Sequence, residues 1–337
     1  MNIAFLTDMN FTGKIPANFE NMRTEFAWMH ALDATHYPLS KWSELPTDLN
    51  IVVVILPKTL SHIPSDFSIE KVKLQYPGTK IGIHQEGPSW YYQDYDIQEQ
   101  YRYLCDMLDS DFILAHNAND KYYYQGLLRK DNVYVNKTLM ITPPAELASR
   151  NINANGVIIG GNFCGWYNGL DSYLIAKEFQ EPIFAPRMGR MKDDELVYDE
   201  NGEITHLPYM KWDEWINNLS NYKYGVHLIR RQLAGTFALN CAYWGIPCVG
   251  YQQLDTQREC HPYTSVQTGD LFAARMLAQK LRDDKEFYEL CSATAIDNYN
   301  KYYGVDVYKE RMKEVLEGIK NDKRWHYRMR PPVKKIT

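Results

Sequence analysis

Residues Tyr222–Tyr251 read YKYGVHLIRRQLAGTFALNCAYWGIPCVGY. An apolar run, Tyr224–Ile229, leads into the basic pair Arg230–Arg231, a helix is predicted to open near Ala234-Gly235-Thr236, and Ile246–Gly250 reads as a second strand. Strand, loop, helix and strand within about thirty residues is the size of one βαβ unit. In an open parallel sheet the loops at the carboxyl ends of the strands collect ligands, and helix N-termini there attract phosphate. Two arginines beside such a loop point to an anionic ligand. The competing reading of the pair is a surface ion pair.

The same alternation of strand and helix extends in both directions. Toward the N-terminus, Asn2–Leu6 is a short β-rich run ending at Thr7-Asp8, followed by a polar loop and a predicted helix over Asn18–Leu32. Ile51–Leu56 (IVVVIL) is a continuous apolar strand, the pattern expected when helices cover both faces of a sheet. Lys80–His84 is the next strand and ends in the polar stretch His84-Gln85-Glu86-Gly87-Pro88-Ser89-Trp90. Helix Ile97–Asp109, strand Phe112–Ala115 ending in His116, helix Asn119–Leu128 and a strand at Val133–Val135 complete this half.

Pro143–Asn155 is polar and breaks the periodicity, so a domain boundary is expected there. The alternation restarts with strand Gly156–Gly160, the glycine-rich loop Gly161–Gly169, helix Leu170–Phe179, strand Pro182–Ala185 and helix Asp213–Leu219. After Tyr251 come a loop, Gln252–Tyr263, and the helices Leu271–Asp283 and Lys285–Tyr302. The expected fold class is α/β: two facing Rossmann-like domains with parallel sheets and helices on both faces. Residues 1–145 would form the first, residues 156–305 the second, and residues 306–337 a C-terminal helix and basic tail.

Composition narrows the function classes. The 337 residues carry 37 basic and 42 acidic side chains, a net charge of −5, which gives no global support for nucleic-acid binding. With 45% hydrophobic and 14% aromatic residues the chain is not a disordered one. Six scattered cysteines without CxxC spacing fit buried thiols rather than a zinc site. No stretch approaches the about 18 apolar residues of a membrane span, and no export signal opens the chain. A cytoplasmic protein without membrane partners is the expectation. The tail from Lys320 to Lys335 departs from this balance, with seven basic residues against Asp322 and Trp325, His326 and Tyr327 between them. Basic residues interleaved with aromatics track a phosphate backbone in some proteins and form a solvated terminus in others.

The second half resembles the donor domain of GT-B glycosyltransferases. GVIIGG with its glycine-rich loop is similar to that domain's first strand, and YGVHLIRRQLAGTFALNCAYWGIPCVG to its nucleotide-sugar-binding strand, loop and helix. IGIHQEGPSWYYQDY followed by DFILAHNANDKYYYQGL resembles bacteriophage members. Asp255-Thr256-Gln257-Arg258 is similar in layout to an element of T-even phage DNA β-glucosyltransferase. The helix after the donor loop offers Thr236 and Asn240 and no carboxylate, a departure from members that clamp the ribose with Glu, and the E-x7-E spacing of retaining members is missing.

The resemblance implies transfer of a sugar from a nucleotide sugar, most simply a UDP-sugar, with no further cofactor and no metal required. The acceptor it implies is double-stranded DNA carrying hydroxymethylated bases. A glycan or lipid-linked acceptor is the alternative, and a sugar-nucleotide epimerase the alternative reaction. On the donor side it points to Gly160, Gly161, Asn162, Arg187, Arg190, Arg230, Arg231, Gly235, Thr236, Asn240 and Asp255. Glycines let backbone approach a diphosphate, and fixed cations stabilise the charge that develops on it. An inverting transfer needs one base to take the acceptor proton. Glu86 is placed first for that role, with Asp8, His84 and His116 as alternatives at strand ends. Trp90 and Tyr91 would stack on a ring, and Arg324 and Arg328 would contact an anionic acceptor.

Overall fold

The computed structural model describes residues 1–57, 60–141, 150–151, 153–187 and 202–321. Two sheets organise them. The first has seven strands: β1 (Ile3–Thr7), β2 (Gly13–Lys14), β3 (Thr35–Pro38), β4 (Ile51–Leu56), β5 (Lys80–Gln85), β6 (Phe112–Ala115) and β7 (Val133–Val135). Their spatial order is β2-β3-β1-β4-β5-β6-β7, and every pair is parallel except the short edge strand β2. Its helices are α1 (Thr24–Ala31), α2 (Ile69–Gln75), α3 (Ile97–Asp109) and α4 (Ala118–Leu128).

The period of two along a strand explains the unbroken apolar runs. In β1 and β4, Ala4, Leu6, Val52, Val54 and Leu56 face one core with Val72, Tyr103 and Met107. Ile3, Phe5, Ile51, Val53 and Ile55 face the opposite core with Phe26 and Trp28. Each strand therefore buries both faces, and a polar residue at either face must be hydrogen-bonded within the protein.

The second sheet holds β8 (Val157–Ile159), β9 (Ile183–Pro186), β10 (Thr205–Leu207), β11 (Tyr224–His227), β12 (Cys248–Tyr251) and β13 (Ser265–Val266). It is parallel throughout, in the order β10-β9-β8-β11-β12-β13. Its helices are α5 (Gly169–Ala176), α6 (Trp212–Leu219), α7 (Thr236–Tyr243), α8 (Asp255–Cys260), α9 (Leu271–Asp283) and α10 (Lys285–Tyr302). The chain runs outward from β8 to β10 and then returns to place β11 on the other side of β8. That reversal opens a crevice at the carboxyl ends of β8 and β11, where an open α/β sheet binds its ligand.

A last helix, α11 (Val305–Asn321), leaves the second sheet and packs Tyr308, Met312, Leu316 and Ile319 into the core of the first, beside Ile3, Phe5 and Phe26. Leu316→Ala is expected to destabilise this core by about 2–5 kcal/mol, the usual loss for a buried leucine. Urea unfolding followed by far-UV circular dichroism measures it, and a loss below the error of the method would mean that α11 is not part of the core.

Four local readings differ from the expectation. Helix α1 starts at Thr24 rather than Asn18, because the Phe19 amide closes a turn on the Pro16 carbonyl and Arg23 is extended at the N-cap. Strand β3 and helix α2 are too short to stand out by periodicity. The predicted loop Gln252–Tyr263 contains α8.

Candidate active site in the crevice between the two sheets

On the second sheet, the loops after β8 and β11 are tied to each other. Asn168 Nδ2 donates to the Leu228 carbonyl at 2.7 Å and to Asp171 Oδ2 at 2.7 Å, and the Leu228 amide donates to Ser172 Oγ at 3.0 Å. Arg230 closes the same knot with a 2.8 Å ion pair to Asp171. Gly161 follows β8 with φ +78, and a Cβ there would lie 2.6 Å from the Tyr167 ring. Asn162 beside it is buried.

Gly235 is the N-cap of α7 with φ +77, and a Cβ would meet Thr256 Oγ1 at 2.0 Å. That hydroxyl donates to the Gly235 carbonyl at 2.8 Å, so α8 locks the turn that starts α7. Glycine is required here both by the left-handed backbone and by this contact. The helix N-terminus that results carries no side-chain cap, has Thr236 in its first turn and follows Arg231 by a few residues.

The first sheet contributes a charged cluster. Arg23 Nη1 donates to Glu86 Oε1 at 2.8 Å, its Nη2 lies 3.8 Å from Asp8 and its Nε 3.7 Å from Glu25. Asp8 also meets His62 Nδ1 at 3.0 Å. The Glu86 loop is held from below: its amide donates to the Leu56 carbonyl at 2.8 Å, and the Ser89 amide donates to Asp120 Oδ1 at 2.9 Å. Burial pushes the Asp120 carboxyl above the usual carboxylate range, partly offset by its hydrogen bonds from Ser89 and Asn117.

The two halves touch through the loop after β5. Trp90 Nε1 donates to the Gln232 carbonyl at 2.7 Å, its ring lies 5.2 Å from that of Trp166, and the Arg231 guanidinium sits 4.5 Å over its face. Tyr91 stacks against the same group, 4.3 Å from Trp90 and 5.7 Å from Trp166. Deeper in, Lys137 pairs with Glu259 at 2.7 Å and Tyr303 donates to the same carboxylate at 2.7 Å. Between these struts lies a small recess, with room for about one water, lined by His116, Asn117, Lys137, Ala234, Asp255 and Thr256.

Glu86, Asp8, Trp90, Tyr91, Arg231 and Gly235 are thus gathered at the facing loops, and His116 and Asp255 at the recess. Other expected residues are placed differently. Arg230 spends its side chain on Asp171, which makes it a staple between loops. Asn240 is 4% exposed. With its oxygen accepting from Trp215 Nε1 at 3.2 Å and its nitrogen donating to the Thr236 carbonyl at 3.1 Å, its amide is used inside the protein rather than at a ribose. His84 is 1% exposed, bonded to the Leu114 carbonyl and to His116, and cannot meet an acceptor hydroxyl. The reason is alternation: with Ile81 and Ile83 in one core, His84 points into the other. Arg187 directly follows β9, whereas Arg190, Arg324 and Arg328 lie outside the described residues. Arg23, His62 and Gln232 were not legible, since Arg23 meets Glu86 across 63 positions of sequence.

Three histidines are held neutral by burial. His36, His227 and His261 are each lowered to about 4, mainly by desolvation. The unfolded chain protonates them near pH 6.5, so between pH 6.5 and about 4 it binds more protons than the folded one. Stability is therefore expected to fall as pH drops through that window, by at most about 3 kcal/mol per histidine. Urea midpoints at pH 7 and 5 check the direction, and an unchanged midpoint would show that these imidazoles are not desolvated.

No family model matches the chain, and no curated protein matches its sequence. Solved structures do. An α-glucosyltransferase in complex with UDP and a 13-mer DNA containing an HMU base superposes with TM-score 0.61 at 12% identity, over 94% of this chain and 99% of that one. Anabaena Alr3699/HepE in complex with UDP and glucose gives 0.63 at 11% identity, over 94% and 100%. AviGT4, a glycosyltransferase involved in avilamycin A biosynthesis, gives 0.61 at 11% identity, over 95% and 98%. The fold is that of the GT-B glycosyltransferases, as anticipated from the motifs. Among the described residues no helix is long and apolar enough to cross a membrane.

Proposed function

We propose that this protein is a glycosyltransferase that takes its sugar from a UDP-sugar bound in the crevice between the sheets. The observation that carries this reading is the convergence, at the β8/β11 switch point, of the Gly160-Gly161-Asn162 loop, the Gly235-initiated N-terminus of α7 and Arg231. Backbone amides and a fixed cation are what a departing diphosphate needs as negative charge builds on it. Arg231 is the stronger of the two adjacent arginines, because no ion pair to it occurs among the described residues while Arg230 is taken by Asp171. Residues 156–305 would be the donor side and residues 1–145 the acceptor side.

Across the crevice Glu86, oriented by Arg23, would take the acceptor proton during a single displacement with inversion. The Trp90–Arg231 contact would hold the halves together around the donor and keep water from it. The UDP-bound neighbours of the same fold support the donor. The acceptor reading is a hydroxymethylated base of duplex DNA, supported by the basic tail and by the neighbour solved with DNA.

Thermal shift against UDP, UDP-glucose and UDP-N-acetylglucosamine tests the donor, with a rise in Tm expected for at least one of them. Indifference to all nucleotide sugars would remove the glycosyltransferase reading. Transfer to duplex DNA with and without hydroxymethylated bases tests the acceptor, and the anomeric configuration of the product by NMR tests inversion. An isomerised sugar nucleotide formed without any acceptor would make the protein an epimerase instead.

A further inference from the structure

Beneath the Glu86 loop lies a cluster that the proposed transfer does not use. Glu25 on α1, His84 at the end of β5 and His116 just beyond β6 are each under a tenth exposed, and their ligating atoms all lie within 4.8 Å of one another. His84 Nδ1 is 2.8 Å from the Leu114 carbonyl. A carbonyl only accepts, so Nδ1 carries the proton. In the neutral ring that leaves the lone pair on Nε2. That lone pair points at His116 Nε2, 3.0 Å away, with the two rings nearly perpendicular at 85°. The indole of Trp28 closes the cluster on one side, 4.7 Å from His84 and 5.5 Å from His116.

We propose that Glu25, His84 and His116 form a binding site for one divalent transition cation of the zinc class. The geometry supports this on three counts. Ligands of one zinc ion, with bonds of about 2 Å, stand roughly 3–3.5 Å apart, which the two Nε2 atoms already do. The Leu114 carbonyl supplies the hydrogen bond that sets the tautomer of a metal-binding imidazole and fixes its orientation. A donor set of two imidazoles and one carboxylate selects zinc-like ions over magnesium or calcium, which prefer oxygen. The Glu25 carboxylate has to move by less than about 2 Å to join the pair, within the range of a side-chain rotation. His116 also lines the small recess between the sheets, the side from which an ion would reach the cluster. A bound ion would cross-link α1 to the ends of β5 and β6, directly below Glu86. The competing arrangement is a plain hydrogen bond between the imidazoles, with Glu25 paired only to Arg23 at 3.7 Å.

The test is a Co²⁺ titration of the chelator-stripped full chain, followed by visible absorption, with Zn²⁺ competition. One equivalent of Co²⁺ per chain is expected to give ligand-field bands that Zn²⁺ abolishes, and Zn²⁺ is expected to raise Tm. His84→Gln and Glu25→Gln should each weaken binding by at least about tenfold, since even the hydrogen-bond partner of a metal ligand carries that much. A wild-type chain that shows no ligand-field band, or variants that bind as the wild type does, would overturn the site. The wild-type titration decides the question even if a variant fails to fold, and it is independent of whether the protein transfers sugars.

Discussion

Glu86→Gln is expected to lower kcat by about 10²- to 10⁴-fold while leaving donor affinity within about threefold, the signature of a lost general base. The physical reason lies in the chemistry of the two side chains. Glutamine keeps the size and hydrogen-bonding length of glutamate, and its amide oxygen still accepts from Arg23 at the position now 2.8 Å from Glu86 Oε1. It has no basicity to offer an acceptor hydroxyl. The fold should survive the change, because the side chain sits in a charged loop and not in either core. Steady-state kinetics with a UDP-sugar, together with UDP affinity by calorimetry, separate the two effects. Near-normal kcat would mean that Glu86 is only the partner that orients Arg23, and Asp8, already close to Arg23 and His62, would become the base to examine.

Arg231→Ala is expected to reduce kcat/KM by about 10²- to 10³-fold, the scale of removing one fixed group that stabilises developing charge. It removes a cation and also the guanidinium stacked 4.5 Å over Trp90. Arg231→Lys should recover only part of the loss, since an ammonium keeps the charge but not the planar stack. Arg230→Ala provides the contrast. Its guanidinium is more than half exposed and already paired with Asp171, so its loss should cost activity less than about tenfold and stability less than about 1 kcal/mol. Equal effects of the two alanine variants on kcat/KM would contradict the separation of roles drawn from their contacts.

Much of the fold was legible because its signals are local. Ile51–Leu56 could only be a strand buried on both faces, and helix Ile97–Asp109 announced both its ends, with Asp96 capping the Gln98 and Glu99 amides. Gly235 could be placed at a helix start because only there does a glycine both open the turn and leave amides free. Helix α8 was missed for the converse reason: six residues with no apolar periodicity look like a loop until Thr256 is seen bonded to Gly235.

The candidate site was legible in part. Glu86, Asp8 and Trp90 were found because polar residues after apolar strands gather at a carboxyl edge. Arg23 was not, since nothing near it in sequence marks the carboxylates it meets.

What the sequence determined by itself is most of the series of strands and helices, the two-part α/β organisation and the strand-end positions where a ligand site is expected. Local sterics and the alternation of apolar residues suffice for these. What only the tertiary structure decided is which side chains are available at that site. His84 and Glu86 are two residues apart, yet one is buried at the end of β5 and the other, just past it, pairs with Arg23. Arg230 and Arg231 are neighbours, yet one is bound to Asp171 and the other meets a tryptophan 141 positions away in sequence. Such assignments depend on which surfaces distant segments bring together, and no local sequence signal encodes that.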